Sequence, residues 1–228
     1  MRVAAIVPAA GAGRRMGGPT SKLFVSLHGR PLLAHTLRVL QASPLVRWIV
    51  LVVRERERAD AEALIARHKI TKALRPCVGG ASRAESVAKG FAELPREAAW
   101  VLVHDGARPC LTQDLIRQAV QAAERHGAVA CGLPAMLTVK AVDARREVRV
   151  TLDRDQLWFV QTPQVFRRAW FAQALAQANG SLAHFTDDAA LVESAGFSVL
   201  MVRGDPLNVK VTTRDDLLLV KAILKKRR

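Results

Sequence analysis

The sequence contains no tyrosine, and aromatic residues make up only 5% of its 228 positions. Its few aromatics fall inside apolar patterns, so no platform for stacking bases is visible. Acidic residues are also scarce: 20 Asp and Glu stand against 35 Lys and Arg, a net charge of +15. A lone carboxylate among cations is the wrong set for glycoside hydrolysis, which needs a carboxylate pair. No Ser-His-Asp or Cys-His arrangement is suggested, and His35 and His104 stand in or beside apolar segments. Only three cysteines occur, Cys77, Cys110 and Cys131, widely spaced. That excludes a disulfide framework and a cysteine metal site, and a cytoplasmic, reducing location is expected. No apolar run approaches the roughly 20 residues of a membrane span. Arg2, the following apolar run and Ala10-Gly11-Ala12 mimic a secretory signal, but the run is too short and holds Pro8.

The remaining composition is that of an ordinary globular chain, 50% hydrophobic and 24% charged. Its length predicts one domain over residues 1–228. The excess of positive charge favours anionic partners: nucleotides, phosphorylated metabolites or nucleic acid. The charge is scattered, however. Only Lys225-Lys226-Arg227-Arg228 forms a run, and it reads as a solvated, frayed tail.

The informative stretch lies at the start. Val3 to Val7 is an apolar run closed by Pro8, and small residues and glycines follow to Gly18, carrying Arg14 and Arg15 ahead of Lys22. This reads as a buried strand opening into a loop. Glycines there let backbone N–H groups approach an anion, and the three cations suit a polyphosphate. It is no P-loop, because Pro19 stands where Lys should follow Gly18. It is no dinucleotide fingerprint either, since Met16 occupies the place of the third glycine.

Beyond it, helix and strand patterns alternate. Helices are predicted over residues 31–40, 55–68, 82–94, 112–126 and 167–178, with Pro31 at the first position of the first and Ser82/Glu85 as a capping box on the third. Strands are predicted over 48–53, 74–78, 100–104, 129–133, 158–160 and 197–202. Residues 208–211 read as short and extended. Thr186, before Asp187 and Asp188, reads as an N-cap, and Thr213 with Asp215 and Asp216 starts a last helix. The pattern predicts an α/β fold: a Rossmann-like, doubly wound and mostly parallel sheet. One segment breaks the rhythm. Residues 138–142 and 148–152 alternate around a turn at 143–146, which reads as an inserted β-hairpin, a projecting arm over 137–153.

In a parallel sheet, every strand's C-terminal end faces one rim, where ligands bind. Four polar clusters fall on that rim: Arg14, Arg15 and Lys22; Gly79 to Ser86; Asp105 and Arg108; and Lys210 with Thr212. None is specific alone. Together they suit phosphoryl or nucleotidyl transfer, which needs two anions positioned and charge on phosphorus neutralised. A divalent ion held largely by the phosphates would assist.

These motifs resemble, in order, those of the 2-C-methyl-D-erythritol 4-phosphate cytidylyltransferase family. They are Pro8-Ala-Ala-Gly-Ala-Gly-Arg-Arg-Met16, Lys22, Gly79-Gly80 with Arg83 and Ser86-Val87, Val103-His-Asp105 with Ala-Arg-Pro109, Asp153-Arg154, Gln161-Thr-Pro-Gln164, Thr186-Asp187 and Asn208-Val-Lys-Val-Thr212. The resemblance spans essentially the whole chain. It implies a nucleotide-diphospho-sugar transferase type of fold and a magnesium-dependent reaction of CTP with methylerythritol phosphate, giving CDP-methylerythritol and pyrophosphate. By the resemblance, Arg15 and Lys22 stabilise the transition state and the departing pyrophosphate. Arg154 and Lys210 position the attacking phosphate. Ala9, Ala10, Gly11, Gly13, Gly80, Ala81, Ser86 and Asp105 would hold the cytidine triphosphate. Asp105, Arg108, Thr138, Thr162, Thr186 and Thr212 would meet the acceptor. No protein cage for the metal is expected, magnesium being held by CTP. The arm would embrace a second subunit, giving a homodimer with no nucleic-acid or membrane partner. The chain departs from the family pattern at Leu137, beside Thr138. A cytidylyltransferase for another polyol phosphate, such as ribitol 5-phosphate, is the alternative reading, and a basic nucleic-acid-binding module is a more distant one.

Overall fold

The computed structural model describes residues 1–11, 22–178, 180 and 182–227. Arg14, Arg15 and Gly13 therefore lie outside the described residues.

A seven-stranded sheet forms the centre, in the order β11 (Leu200–Arg203), β7 (Ala128–Pro134), β10 (Trp158–Arg167), β6 (Trp100–Val103), β1 (Val3–Pro8), β4 (Val46–Val53) and β5 (Cys77–Val78). Its middle strands are β1 (Val3–Pro8), β4 (Val46–Val53) and β6 (Trp100–Val103), which run parallel. Each is apolar on both faces, as a strand covered by helices on both sides must be. Along β1, Val3, Ala5 and Val7 point into one core and Ala4 and Ile6 into the other. Helices α1 (Leu32–Ala42), α4 (Gln113–His126) and α7 (Arg214–Lys226) cover the first face. Helices α3 (Arg83–Ala92), α5 (Arg168–Gln177) and α6 (Asp188–Ser194) cover the second. Helix α2 (Arg58–Arg67) buries Ala61 and Leu64 against the first core, after a 3-10 turn over Glu55–Glu57.

Several boundaries differ from the sequence reading, each for a local reason. Pro31 is not the first helical residue. It pairs in the two-residue ladder of β2 (Ser26–Leu27) with β3 (Arg30–Pro31), and α1 starts after it. The strand expected over 74–78 is only β5 (Cys77–Val78), because it is the sheet edge and pairs with β4 alone. β11 is Leu200–Arg203, parallel to β7 (Ala128–Pro134). Residues 208–211 form no ladder.

The main correction concerns residues 158–160. They open a ten-residue strand, β10 (Trp158–Arg167), which runs antiparallel between β6 and β7. Gln164 pairs with Val103 at the C-terminal end of β6. Thr162 thus reaches the ligand-binding rim from the middle of a strand. The Thr162–Pro163 peptide bond is cis.

The arm forms as expected: β8 (Val139–Val142) and β9 (Val148–Leu152) pair only with each other. Asp143 organises its turn, accepting from the N–H groups of Arg145 and Glu147. Arg146 takes a left-handed φ of 66° there. The basic tail is not frayed through Arg227. Lys225 and Lys226 complete α7, and Arg227 donates to the Cys110 carbonyl at 2.5 Å and to Asp205 at 2.7 Å.

Candidate active site

Two loops build one side of the candidate site. After β1, the Ala9 N–H bonds the Val52 carbonyl at 2.7 Å, which ties the first loop to β4. The loop before α3 comes close beside it. A Cβ on Gly79 would lie 2.6 Å from the Ala10 Cβ and 2.7 Å from Ser86 Oγ, so only glycine permits this approach.

Side chains of α3 then lock that loop. Ser86 Oγ accepts from the Gly80 N–H at 3.1 Å and donates to the Ser82 carbonyl at 2.9 Å. Ser82 caps α3 by accepting from the Glu85 N–H. The expected capping box closes only on that side, because the Glu85 carboxylate accepts from the Ala81 N–H instead. The N–H groups of Gly80 and Ala81 are thus satisfied within the loop. Opposite them, Lys22 begins a 3-10 turn and donates to the Val211 carbonyl at 2.7 Å, beside Lys210 and Thr212.

At the end of β6 sits Asp105, its side chain only 8% exposed. It meets Lys210 Nζ at 2.7 Å, Arg83 Nε at 3.1 Å and Arg108 Nε at 3.8 Å. Burial alone would raise its pKa, but Arg83, Lys210 and Arg108 together hold the carboxyl below the usual carboxylate range. Arg83 also donates to the buried Asp188 of α6 at 2.8 Å, so one guanidinium joins two carboxylates. The acids pin that guanidinium in its charged form against the pull of burial.

A second network fixes the Asp105 backbone. His104 is fully buried, and its Nε2 faces the Arg108 carbonyl at 3.2 Å. A carbonyl only accepts, so Nε2 carries the proton. Nδ1 then accepts from the Thr162 hydroxyl at 3.1 Å, and that same oxygen accepts from the Asp105 N–H at 3.1 Å. Burial lowers the His104 pKa to about 4, which keeps the ring neutral as this pattern requires. Asn208 Nδ2 donates to the Thr162 carbonyl, and Arg108 donates to the Asn208 carbonyl.

Two clefts adjoin at this point. The first, about 440 Å³, is lined by Ala9, Ala10, Gly11, Lys22, Gly80, Ala81, Arg83, Ser86, Asp105, Lys210 and Thr212. The second, about 280 Å³, is lined by Arg83, Asp105, Arg108, Thr162, Gln164, Thr186, Asp187 and Lys210. Arg83, Asp105 and Lys210 belong to both.

The structure therefore gathers most of the residues read from the sequence, with distinctions among them. The Thr162 hydroxyl is committed to His104 and Asp105. The N–H and hydroxyl of Thr212 both donate to Asp216 at 2.7 Å. These two threonines shape the clefts while their hydroxyls are held by the protein. Thr186 lines the second cleft but does not cap α6. Asp187 does so through the Ala190 N–H, and also holds Gln164. Thr138 and Arg154 line neither cleft. Thr138 is on the arm and Arg154 directly follows the arm, where Arg154 Nη1 donates to the Met136 carbonyl at 3.0 Å. The sequence reading missed the Arg83–Asp188 link and the roles of His104 and Gln164. One signal was available: Arg83 stands in the first turn of α3, where the helix dipole disfavours a cation.

Among the described residues, no group of three His, Cys, Asp or Glu side chains could cage a metal ion. No helix among them is long and apolar enough to cross a membrane.

The sequence and fold match known proteins along nearly the whole of this chain. Residues 3–226 match the IspD family model, 2-C-methyl-D-erythritol 4-phosphate cytidylyltransferase. The Bacillus velezensis protein of that name is 42% identical over 226 residues, 99% of this chain and 97% of its own. The one from Alkaliphilus metalliredigens is 40% identical over all of this chain and 95% of its own. Among solved structures, the Anaerococcus prevotii 4-diphosphocytidyl-2C-methyl-D-erythritol synthase superposes with a TM-score of 0.86 at 28% identity, covering 98% of each chain. The Thermus thermophilus cytidylyltransferase does so with a TM-score of 0.79 at 30% identity, covering 99% of this chain and all of the other. The chain belongs to the 2-C-methyl-D-erythritol 4-phosphate cytidylyltransferase family, and is a nucleotidyltransferase of isoprenoid biosynthesis.

Proposed function

We propose that CTP occupies the first cleft and methylerythritol phosphate the second, with the transfer taking place where they meet. A phosphate oxygen of the acceptor attacks the α-phosphorus of CTP in line. The new phosphorus–oxygen bond forms as the bond to the β-phosphate bridging oxygen breaks, and pyrophosphate leaves. The observation that carries this reading is that Arg83, Asp105 and Lys210 line both clefts. A transfer between two anions needs such a shared, charge-ordered wall.

In this division of labour, Lys22 and Arg15 neutralise the triphosphate and the leaving pyrophosphate. Lys210 orients the attacking phosphate, held at a defined position by Asp105. Among the described residues, Asp105 is the single carboxylate common to both clefts and stays ionised, which fits a magnesium ion held mainly by triphosphate oxygens and water. That ion, held by the triphosphate, would supply charge neutralisation there, while Asp105 keeps Lys210 in place.

Arg154 and Thr138 act, in this reading, in the site of a second copy of the chain, giving a homodimer with shared sites. Support comes from the arm. Met136 is 76% exposed, Leu137 78% and Phe159 58%, large apolar side chains left open to solvent at or near its base. Exposed apolar area of this kind marks an interaction surface, and a two-stranded ribbon alone is marginal in water. Three free cysteines suit a cytoplasmic setting.

The test is pyrophosphate release from CTP and magnesium, comparing methylerythritol phosphate with ribitol 5-phosphate. Release with methylerythritol phosphate is expected. Release with ribitol 5-phosphate alone would replace the acceptor, and release with neither would overturn the reading.

A further inference from the structure

Between α1, the start of α4 and the end of α7 lies a separate cavity of about 390 Å³, which shares no lining residue with the catalytic clefts. Its lining is mixed. Val39, Leu111 and Leu224 supply apolar surface, and Arg30, Arg38 and Arg227 supply guanidinium groups. Arg227 is already committed to the Cys110 carbonyl and Asp205. Arg30 and Arg38 differ: among the described residues, neither has a carboxylate within salt-bridge distance. Their field reaches His68, whose pKa is lowered first by burial and then by Arg67, Arg30 and Arg38. The first turn of α4, at Thr112 and Gln113, opens on the same space and adds potential of the same sign.

Guanidinium forks match phosphate oxygens in geometry as well as charge. A cavity of this size lies within the range of small-molecule sites, about 300–1,000 Å³. We infer that this cavity is a second ligand site, which takes an organic phosphate or diphosphate bearing a short apolar group. The anionic head sits on Arg30 and Arg38, and the apolar part lies along Val39, Leu111 and Leu224. The cavity and the active site are joined through the chain. Asp105 and Ala107 line a catalytic cleft, and Pro109 to Thr112 line this cavity. Thr36 of α1 donates to the Gly106 carbonyl between them at 3.1 Å. A bound molecule therefore touches the continuation of the loop that carries Asp105.

The experiment is calorimetric titration of the intact chain with n-pentyl diphosphate. Binding is expected in the wild type and must persist in Lys210→Ala, which removes a cation from the catalytic clefts. The double variant Arg30→Gln/Arg38→Gln should weaken it at least tenfold. Ala42→Phe, at a residue lining the cavity, fills the space without removing charge and should weaken it comparably. Pyrophosphate release by both of these variants should stay within twofold of wild type, which verifies that they are folded. No binding by the wild type, or loss of binding in Lys210→Ala, overturns the inference. So does a loss confined to the arginine variant, since that would be a surface charge effect.

Discussion

Lys210 Nζ lies 2.7 Å from Oδ2 of Asp105, at a wall that belongs to both clefts. The lysine side chain is 40% exposed and the aspartate side chain 8%. The pair therefore presents a cation to ligands while its counter-charge stays inside. In the proposed mechanism, such an arrangement holds the ammonium in place before substrate arrives, and so lowers the reorganisation needed during transfer.

Lys210→Ala should accordingly lower turnover by about 10²- to 10³-fold, the usual consequence of losing one transition-state contact. Lys22→Ala should do the same, because its ammonium reaches across to the Val211 carbonyl from the other side of the first cleft. Steady-state pyrophosphate release and CTP titration separate the two effects. Turnover within tenfold of wild type in either variant would remove that lysine from the proposed mechanism.

Arg83→Met should destabilise the fold by about 3–5 kcal/mol, since it strips the cation from two buried carboxylates. Burial already pushes the Asp188 carboxyl up. Adding Asp188→Asn to that variant should recover part of the loss, because a neutral amide needs no counter-charge. Urea unfolding of the four proteins closes the double-mutant cycle. Additive effects would show that the two residues are not coupled.

His104 gives stability a defined pH dependence. Its pKa falls from 6.5 to about 4 on folding, so the unfolded chain binds more protons between those values. Its contribution is present in full above about pH 6.5 and is lost as pH falls towards 4. At about 1.4 kcal/mol per pH unit, the loss is on the order of 3 kcal/mol. His104→Asn should be less stable at pH 7.5 and should flatten the curve between pH 6.5 and 4. Parallel curves for the two proteins would show that His104 does not titrate in this window.

The proposed sharing of sites predicts complementation. Arg154→Ala and Lys210→Ala, each nearly inactive alone, should regain activity when co-assembled, because one of the two sites in a mixed dimer is intact. Mixed dimers separated by tag and assayed for pyrophosphate release provide the measurement. Inactive mixed dimers would place Arg154 in its own chain's site.

The alternation of apolar strands with capped helices sufficed to read the α/β fold, and the change to period two at residues 138–152 sufficed to read the arm. Both are local signals, carried by neighbours in sequence. The rim clusters were legible because in a parallel sheet the ends of β1, β5 and β6 must face one side. The direction of β10 was not legible, because an apolar run has the same composition whichever way it pairs. That direction decides that Thr162 meets His104 and the Asp105 N–H.

The sequence by itself determined which residue types were available at the rim: the glycines, Lys22, Asp105, Arg108 and Lys210. Only the tertiary structure decided how their charges are shared. Arg83 joins Asp105 to Asp188 across 83 residues of chain, and Arg108 reaches the Asn208 carbonyl across 100. Electrostatic and hydrogen-bond partners are chosen by distance in space and by burial, and neither is a property of residues adjacent in sequence.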